Sequence, residues 1–337
     1  MAHKTAALKI AINGFGRIGR GVLRALIETG NRDIDLVAVN DLAPADQLVH
    51  LLKYDSVHGR LGVPVELNDG VLRVDGREIR MTAERNPADL NWSDVDMVFE
   101  CTGKFKTRDQ AALHLQNGSK RVLISAPGKG VDRTVVYGVN HQDLTAGDVI
   151  VSNASCTTNC LAPVAMILDR EFGIETGYMT TIHAYTASQP VLDTPIGDPY
   201  RARAAALSLI PTTTGATTAL SLVLPQLEGR LKGSAVRVPT PNVSLVDLCF
   251  MPKRPATVES VNAAMKAATM GELKGVVDYA QDPMVSIDFN HDPHSAAFAP
   301  AETAVTDQGM VRVVAWYDNE WGFTNRMIDT ALYMANL

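Results

Sequence analysis

Leu8-Lys9-Ile10-Ala11-Ile12-Asn13 runs straight into Gly14-Phe15-Gly16-Arg17-Ile18-Gly19, and no other stretch restricts the fold of this chain as much. Ile18, Val22, Leu23 and Leu26 then recur at helical spacing, so an amphipathic helix is expected after the glycines. Strand, G-x-G-x-x-G and helix in that order form the fingerprint of a doubly wound α/β unit that binds a dinucleotide. Gly14 permits a tight turn, Gly16 lets the backbone approach a pyrophosphate, and Gly19 allows close helix–strand packing. Phe15, Arg17 and Ile18 share that turn, whose N–H groups cradle the phosphates.

A second apolar strand, Leu36-Val37-Ala38-Val39, ends at Asn40-Asp41, about 20 residues beyond the fingerprint. A carboxylate there accepts hydrogen bonds from a ribose 2′-OH and repels a 2′-phosphate, and no arginine follows within the next few residues. NAD is therefore expected rather than NADP. The competing reading makes Asp41 the cap of a helix starting near Pro44-Ala45. Met97-Val98-Phe99-Glu100 and residues 121–125 continue the sheet around a helical stretch at 110–115. Thr102 and Ser125 fall at strand ends, where open α/β sheets bind ligands.

Ser155-Cys156-Thr157-Thr158-Asn159-Cys160 sets a cysteine where the apolar Val149-Ile150-Val151 gives way to a helix expected over 161–172. A helix N-terminus favours thiolate, and strand-like residues then deliver His183, the second half of a Cys/His nucleophile pair. On its own Cys156 reads more simply as a small buried hydrophobe; the dinucleotide fingerprint upstream tips the balance. Cys160, one turn on, is expected in the core, since i,i+4 geometry restrains disulfide closure. Cys101, Cys156, Cys160 and His183 match no zinc spacing, so no metal is expected. His50, His58, His114 and His141 carry no readable signal.

Beyond His183, β-rich runs at 234–250, 284–289 and 311–317 surround one helix at 258–268, and a last helix spans 325–334. Runs of strands predict a separate α+β domain with a mostly antiparallel sheet. Arg201, Arg203 and Arg237 stand near Pro211-Thr212-Thr213-Thr214-Gly215 and Val238-Pro239-Thr240, a combination suited to phosphate.

A length of 337 residues makes two domains the default. The net charge of −6 excludes the basic footprint of a nucleic-acid binder. Four cysteines make no disulfide scaffold, which favours a reduced, cytoplasmic setting. Arg17 and Arg20 interrupt any leader-like apolar core, and no apolar run approaches the ~18 residues of a membrane span, so neither signal peptide nor membrane association is expected.

Asn13 to Arg20, Ser152 to Cys160, Pro211 to Ala216, Arg237 to Asn242 and Trp316 to Glu320 together resemble, in order and over essentially the whole chain, the phosphorylating glyceraldehyde-3-phosphate dehydrogenases. The resemblance implies an NAD-binding Rossmann domain of 1–155 and 319–337 and a catalytic domain of 156–318. It implies Cys156 as nucleophile and His183 as base. Thr186 and Arg237 would hold the substrate's phosphate, and Ser155, Thr157, Arg201, Thr214 and Gly215 the inorganic phosphate. Asn319 would fix the nicotinamide carboxamide, and residues 185–206 would line the interfaces of a homotetramer. The sister erythrose-4-phosphate dehydrogenases share Asp288 to Ser295 but generally lack the threonine run and the threonine matching Thr186, both kept here. The implied reaction is therefore NAD-dependent oxidative phosphorylation of glyceraldehyde 3-phosphate through a cysteine thioester. A non-catalytic NAD-binding redox sensor is the alternative of another class, and a full phosphate-binding set argues against it.

Overall fold

A computed structural model describes residues 6–337. Two compact units emerge: one from the residues up to Val135, His141–Ala154 and Thr324–Leu337, the other from Val136–Asn140 and Ser155–Phe323.

The first unit is built on a nine-stranded sheet. Its order is Arg133–Thr134, Ile150–Ser152, Arg121–Ile124, Met97–Glu100, Leu8–Asn13, Ile34–Asn40, Arg77–Thr82, Val71–Val74 and Val65–Asn68. The first seven strands are parallel and the last two close an antiparallel meander. Near-continuous apolar runs suit parallel strands covered on both faces, and Ile10, Ala11, Ile12, Val98 and Phe99 are fully buried. The chain order reverses between Leu8–Asn13 and Met97–Glu100, and in open α/β sheets the ligand crevice lies at the carboxyl ends of such a pair. Gly14 and Thr102 sit there.

The second unit carries a mostly antiparallel sheet ordered Ile210–Thr213, Leu231–Val238, Ile174–Ala184, Ser244–Pro252, Val311–Tyr317, Ala296–Phe298 and Val277–Tyr279, with Ala304–Val305 paired to Val311–Tyr317. Two pairs are parallel: Ile174–Ala184 with Leu231–Val238, and Val277–Tyr279 with Ala296–Phe298. Register matters for function. His183 lies opposite Arg237, and Ser244 opposite Tyr317, so four polar side chains gather at one end of the central strands.

Three local expectations change. The 234–250 run is two strands, because Pro239 and Pro241 cannot donate to a ladder. Residues 284–289 are not a strand: Ser286–Phe289 form a single 3₁₀ turn, closed where the Asp288 carboxylate accepts the Val285 N–H at 2.8 Å. The helix expected from 161 begins at Cys156, with Pro163 inside it. The Ser155 side chain caps this start.

Candidate active site

In the first unit, Gly14 holds φ at +97°, and a Cβ there would lie 2.6 Å from the Thr102 nitrogen, so only glycine allows these strand ends to approach so closely. Gly16 is the reverse case. Nothing lies within 4 Å of where its Cβ would be, and it opens the helix Arg17–Glu28 with no side-chain cap and no acid in the first turn. Uncapped N–H groups beside open space fit a pyrophosphate. A cavity of about 340 Å³ is bordered there by Asn13, Gly14, Gly16, Asp41, Arg85 and Thr102.

Asp41 accepts the Phe15 N–H at 2.7 Å through one oxygen and the Ala43 N–H at 3.0 Å through the other. Its carboxylate is thereby fixed, with lone pairs left for ribose hydroxyls. The following helix, Ala45–Lys53, takes Pro44 as its cap, so Asp41 is not that cap. Phe15 is buried and the Arg17 guanidinium is turned to Asp55, and neither residue borders the cavity. Gly19 packs against the Gly14 carbonyl, and Ile18 is half-buried in the helix. Ser125 lies off the cavity's border; its N–H bonds the Glu100 carbonyl at 3.0 Å. Arg85 and Lys104, which sequence reading missed, do border the cavity. Both lie more than 40 residues beyond Asp41 in the chain, out of reach of a local motif.

In the second unit, Ser155 Oγ accepts the Thr158 N–H at 3.1 Å and so caps the helix that Cys156 begins. Cys156 Sγ lies 3.6 Å from His183 Nε2. His183 is buried on its strand, with Nδ1 2.6 Å from the Ala184 carbonyl oxygen; Arg237 Nη1 is 2.8 Å from each of those two atoms. A guanidinium only donates, and the carbonyl can accept twice. With Nδ1–H donating to Ala184, the Nε2 lone pair faces the thiol.

Burial, then the charge of Arg237, then that of Arg201, lower the imidazole pKa to about 3 against the pull of the Ala184 carbonyl. Burial also raises the Cys156 thiol, outweighing Arg237 and the donors of Thr157. The helix N-terminus therefore does not win in the chain alone: the pair rests as thiol and neutral imidazole. Arg201 and Arg237 each bury an Nε without a partner. Burial and the Arg201 charge lower Arg237's own pKa. Two guanidiniums that feel each other's charge, neither ion-paired among the described residues, suit an anion. Thr214 Oγ1 accepts the Ala216 N–H at 3.2 Å, and Gly215 starts the helix Ala216–Val223 without a side-chain cap. The Thr186 hydroxyl lies 3.1 Å from that of Ser188, and its carbonyl accepts the Gln189 N–H at 2.9 Å. Among the described residues, no hydrogen bond joins Thr186, Thr214 or Gly215 to the Cys156–His183–Arg237 cluster.

Residues 8–108 match the family model described as "Glyceraldehyde 3-phosphate dehydrogenase, NAD binding domain", and residues 155–319 match its "C-terminal domain" counterpart. The chain is 60% identical to the glyceraldehyde-3-phosphate dehydrogenase of Cereibacter sphaeroides over 98% of this chain and 99% of that protein. It is 55% identical to that of Geobacillus stearothermophilus over the same shares. The chain belongs to the glyceraldehyde-3-phosphate dehydrogenase family.

As a member of that family it is an NAD-dependent dehydrogenase, with a Rossmann domain followed by a catalytic one. Further polar side chains of this dehydrogenase join the two clusters' networks. Tyr317, buried, places its hydroxyl 2.9 Å from both Thr157 Oγ1 and Thr181 Oγ1 and turns its ring edge-on to His183. Asn319 accepts from Ser244 Oγ at 2.8 Å. Beneath the dinucleotide turn, buried Glu100 accepts from Asn13 Nδ2 at 2.6 Å and from the Thr102 N–H at 2.8 Å. His114 Nε2 lies 3.0 Å from Glu100, while His114 Nδ1 accepts the Trp92 indole N–H at 3.0 Å. Indole only donates, so the His114 proton sits on Nε2 and points at the carboxylate. Of these residues, sequence reading gave roles to Asn319 and Thr102 and held Tyr317 in a motif without a role, while Ser244, Glu100 and His114 carried no signal.

Proposed function

We propose that this chain catalyses the NAD-dependent oxidative phosphorylation of D-glyceraldehyde 3-phosphate to 1,3-bisphosphoglycerate, in the cytoplasm, within glycolysis or gluconeogenesis. The observation that carries this reading is a thiol at a helix start, 3.6 Å from a neutral imidazole whose other nitrogen lies 2.8 Å from the Arg237 guanidinium. Dinucleotide binding is assigned to residues 1–155 and 319–337, and the chemistry to 156–318.

Cys156 Sγ attacks the aldehyde carbon while its proton passes to His183 Nε2, forming a thiohemiacetal. The helix-start N–H groups and the new imidazolium N–H stabilise the oxygen. NAD, when bound, would supply the hydride acceptor, and the Gly14–Gly19 turn, Asp41, Thr102 and Asn319 would hold it. As the hydride leaves carbon, Nε2 retains or takes the hydroxyl proton, leaving a thioester on Cys156. Inorganic phosphate then attacks the thioester carbon, the C–S bond breaks, and the acyl phosphate departs. Arg237 with Thr186 holds the substrate's phosphate. Arg201, Ser155, Thr157, Thr214 and Gly215 receive the incoming one. The geometry supports the role of base, because the Nε2 lone pair of an unprotonated His183 faces the thiol at 3.6 Å.

Thiol chemistry speaks against a redox sensor. Burial pushes Cys101 up to about 12 and raises Cys156 and Cys160, whereas a sensor thiol is acidic and exposed. Large apolar side chains in and beside the 185–206 segment, among them Val191, Leu192, Tyr200 and Leu207, are 64% to 80% exposed, which supports assembly as a homotetramer. An NADH-production assay comparing glyceraldehyde 3-phosphate with erythrose 4-phosphate tests the reading. Phosphate-dependent turnover favouring the triose is expected. Preference for the tetrose, or turnover indifferent to phosphate, would contradict it.

A further inference from the structure

Val243 holds φ at +67°, a left-handed conformation that β-branched residues all but avoid. Such strain persists only where surrounding structure overrides it, and it gathers at functional sites. Here both neighbours are pinned. Asn242 Nδ2 donates to Asn290 Oδ1 and to Asp318 Oδ2, each at 2.8 Å. The Val243 side chain is buried with Ala280, Phe289 and Ala297. The strain thus delivers one hydroxyl, Ser244 Oγ, to a fixed place.

That place is between two strand ends. Ser244 opens the strand lying between the His183 strand and Val311–Tyr317. Its Oγ accepts the Ala184 N–H at 3.0 Å and contacts Asn319 Oδ1 at 2.8 Å. The Ala184 N–H takes one Oγ lone pair, and the hydroxyl proton is donated to the Asn319 amide oxygen. Asn319 Nδ2 is left as a donor with no partner among the described residues, on a side chain only 5% exposed.

We propose that Ser244 is a positioning residue: its hydroxyl, braced on the peptide after His183, orients the Asn319 amide so that Nδ2 donates to the carboxamide of the dinucleotide. The inference rests on reading Asn319 as the holder of that carboxamide. Calorimetric titration of the purified chain with NAD and with ADP-ribose, which lacks the nicotinamide, tests it. Ser244→Ala should weaken NAD by about fivefold, the worth of one net hydrogen bond, and leave ADP-ribose within about twofold. Ser244→Cys, which keeps the size but donates weakly, should fall between, and it secures the test if the alanine variant fails to fold. Asn319→Ala is the control. If it loses NAD selectively while the Ser244 variants do not, the role of Ser244 is overturned and that of Asn319 stands. If Asn319→Ala shows no selective loss, the reading of Asn319 falls, and the inference with it. Equal loss of both ligands in the Ser244 variants, with a lowered melting temperature, would make Ser244 merely structural and also overturn the proposal.

Discussion

At His183 the fold withholds a proton. Burial and two nearby guanidiniums keep the imidazole neutral down to about pH 3, so it accepts the thiol proton only when attack begins. Ionising the thiol in advance would gain little. Lowering a thiol pKa from ~8.5 to ~6 raises the thiolate fraction roughly 30-fold, but roughly tenfold of that is lost as nucleophilicity falls. Placement and oxyanion stabilisation must carry the barrier. His183→Asn should therefore slow the chemical step by about 10²–10⁴-fold in single-turnover kinetics. Recovery of the wild-type rate at high pH would show that the imidazole serves only to ionise the thiol. Stability follows the same proton. The folded pKa of about 3 lies below the free value of 6.5, so the unfolded chain binds the proton first as pH falls. Stability is therefore lost between those values and not above them. In denaturant melts across that window, His183→Gln should show a shallower slope of unfolding free energy against pH. Equal slopes would contradict the buried neutral imidazole.

Among elements, the dinucleotide turn depends on a carboxylate it never displays. Glu100 takes donors from Asn13, Thr102 and His114, and Asn13 in turn accepts from Asn40 Nδ2 at 2.8 Å. Asn13, Asn40 and Thr102 border the cavity. In Glu100→Gln an amide NH₂ would face the donors of Asn13 and His114, an unsatisfiable arrangement. The variant should lose about 1–3 kcal/mol of stability and bind ADP-ribose at least several-fold more weakly by calorimetry. Unchanged affinity would detach this network from the turn. The turn itself was legible because strand, glycines and helix are contiguous, and Cys156 was legible at the end of its strand. Glu100, Tyr317 and Ser244 were not: their partners lie up to 160 residues away, and sequence periodicity reports faces rather than pairings. The 284–289 segment shows the opposite failure. Its apolar content imitated a strand, while Asp288 closing on the Val285 N–H made a turn.

For the whole molecule, composition set broad limits and the sheets set the chemistry. The net charge of −6 leaves anion binding to local guanidiniums, and the register of His183 with Arg237 supplies one of them beside the base. The exposed apolar side chains near Val191, Leu192 and Leu207 are compatible with the homotetramer that the family resemblance implies. Light scattering should return about four chain masses, with Leu192→Asp or Leu207→Asp shifting the population to smaller species; a monomeric wild type would contradict this. The most direct test of the account as a whole weighs the intact chain after mixing with NAD and glyceraldehyde 3-phosphate without inorganic phosphate. It predicts an acyl adduct that maps to Cys156, disappears when phosphate is added, and never forms in Cys156→Ser. An unmodified chain under turnover-competent conditions, or an adduct on another side chain, would contradict it.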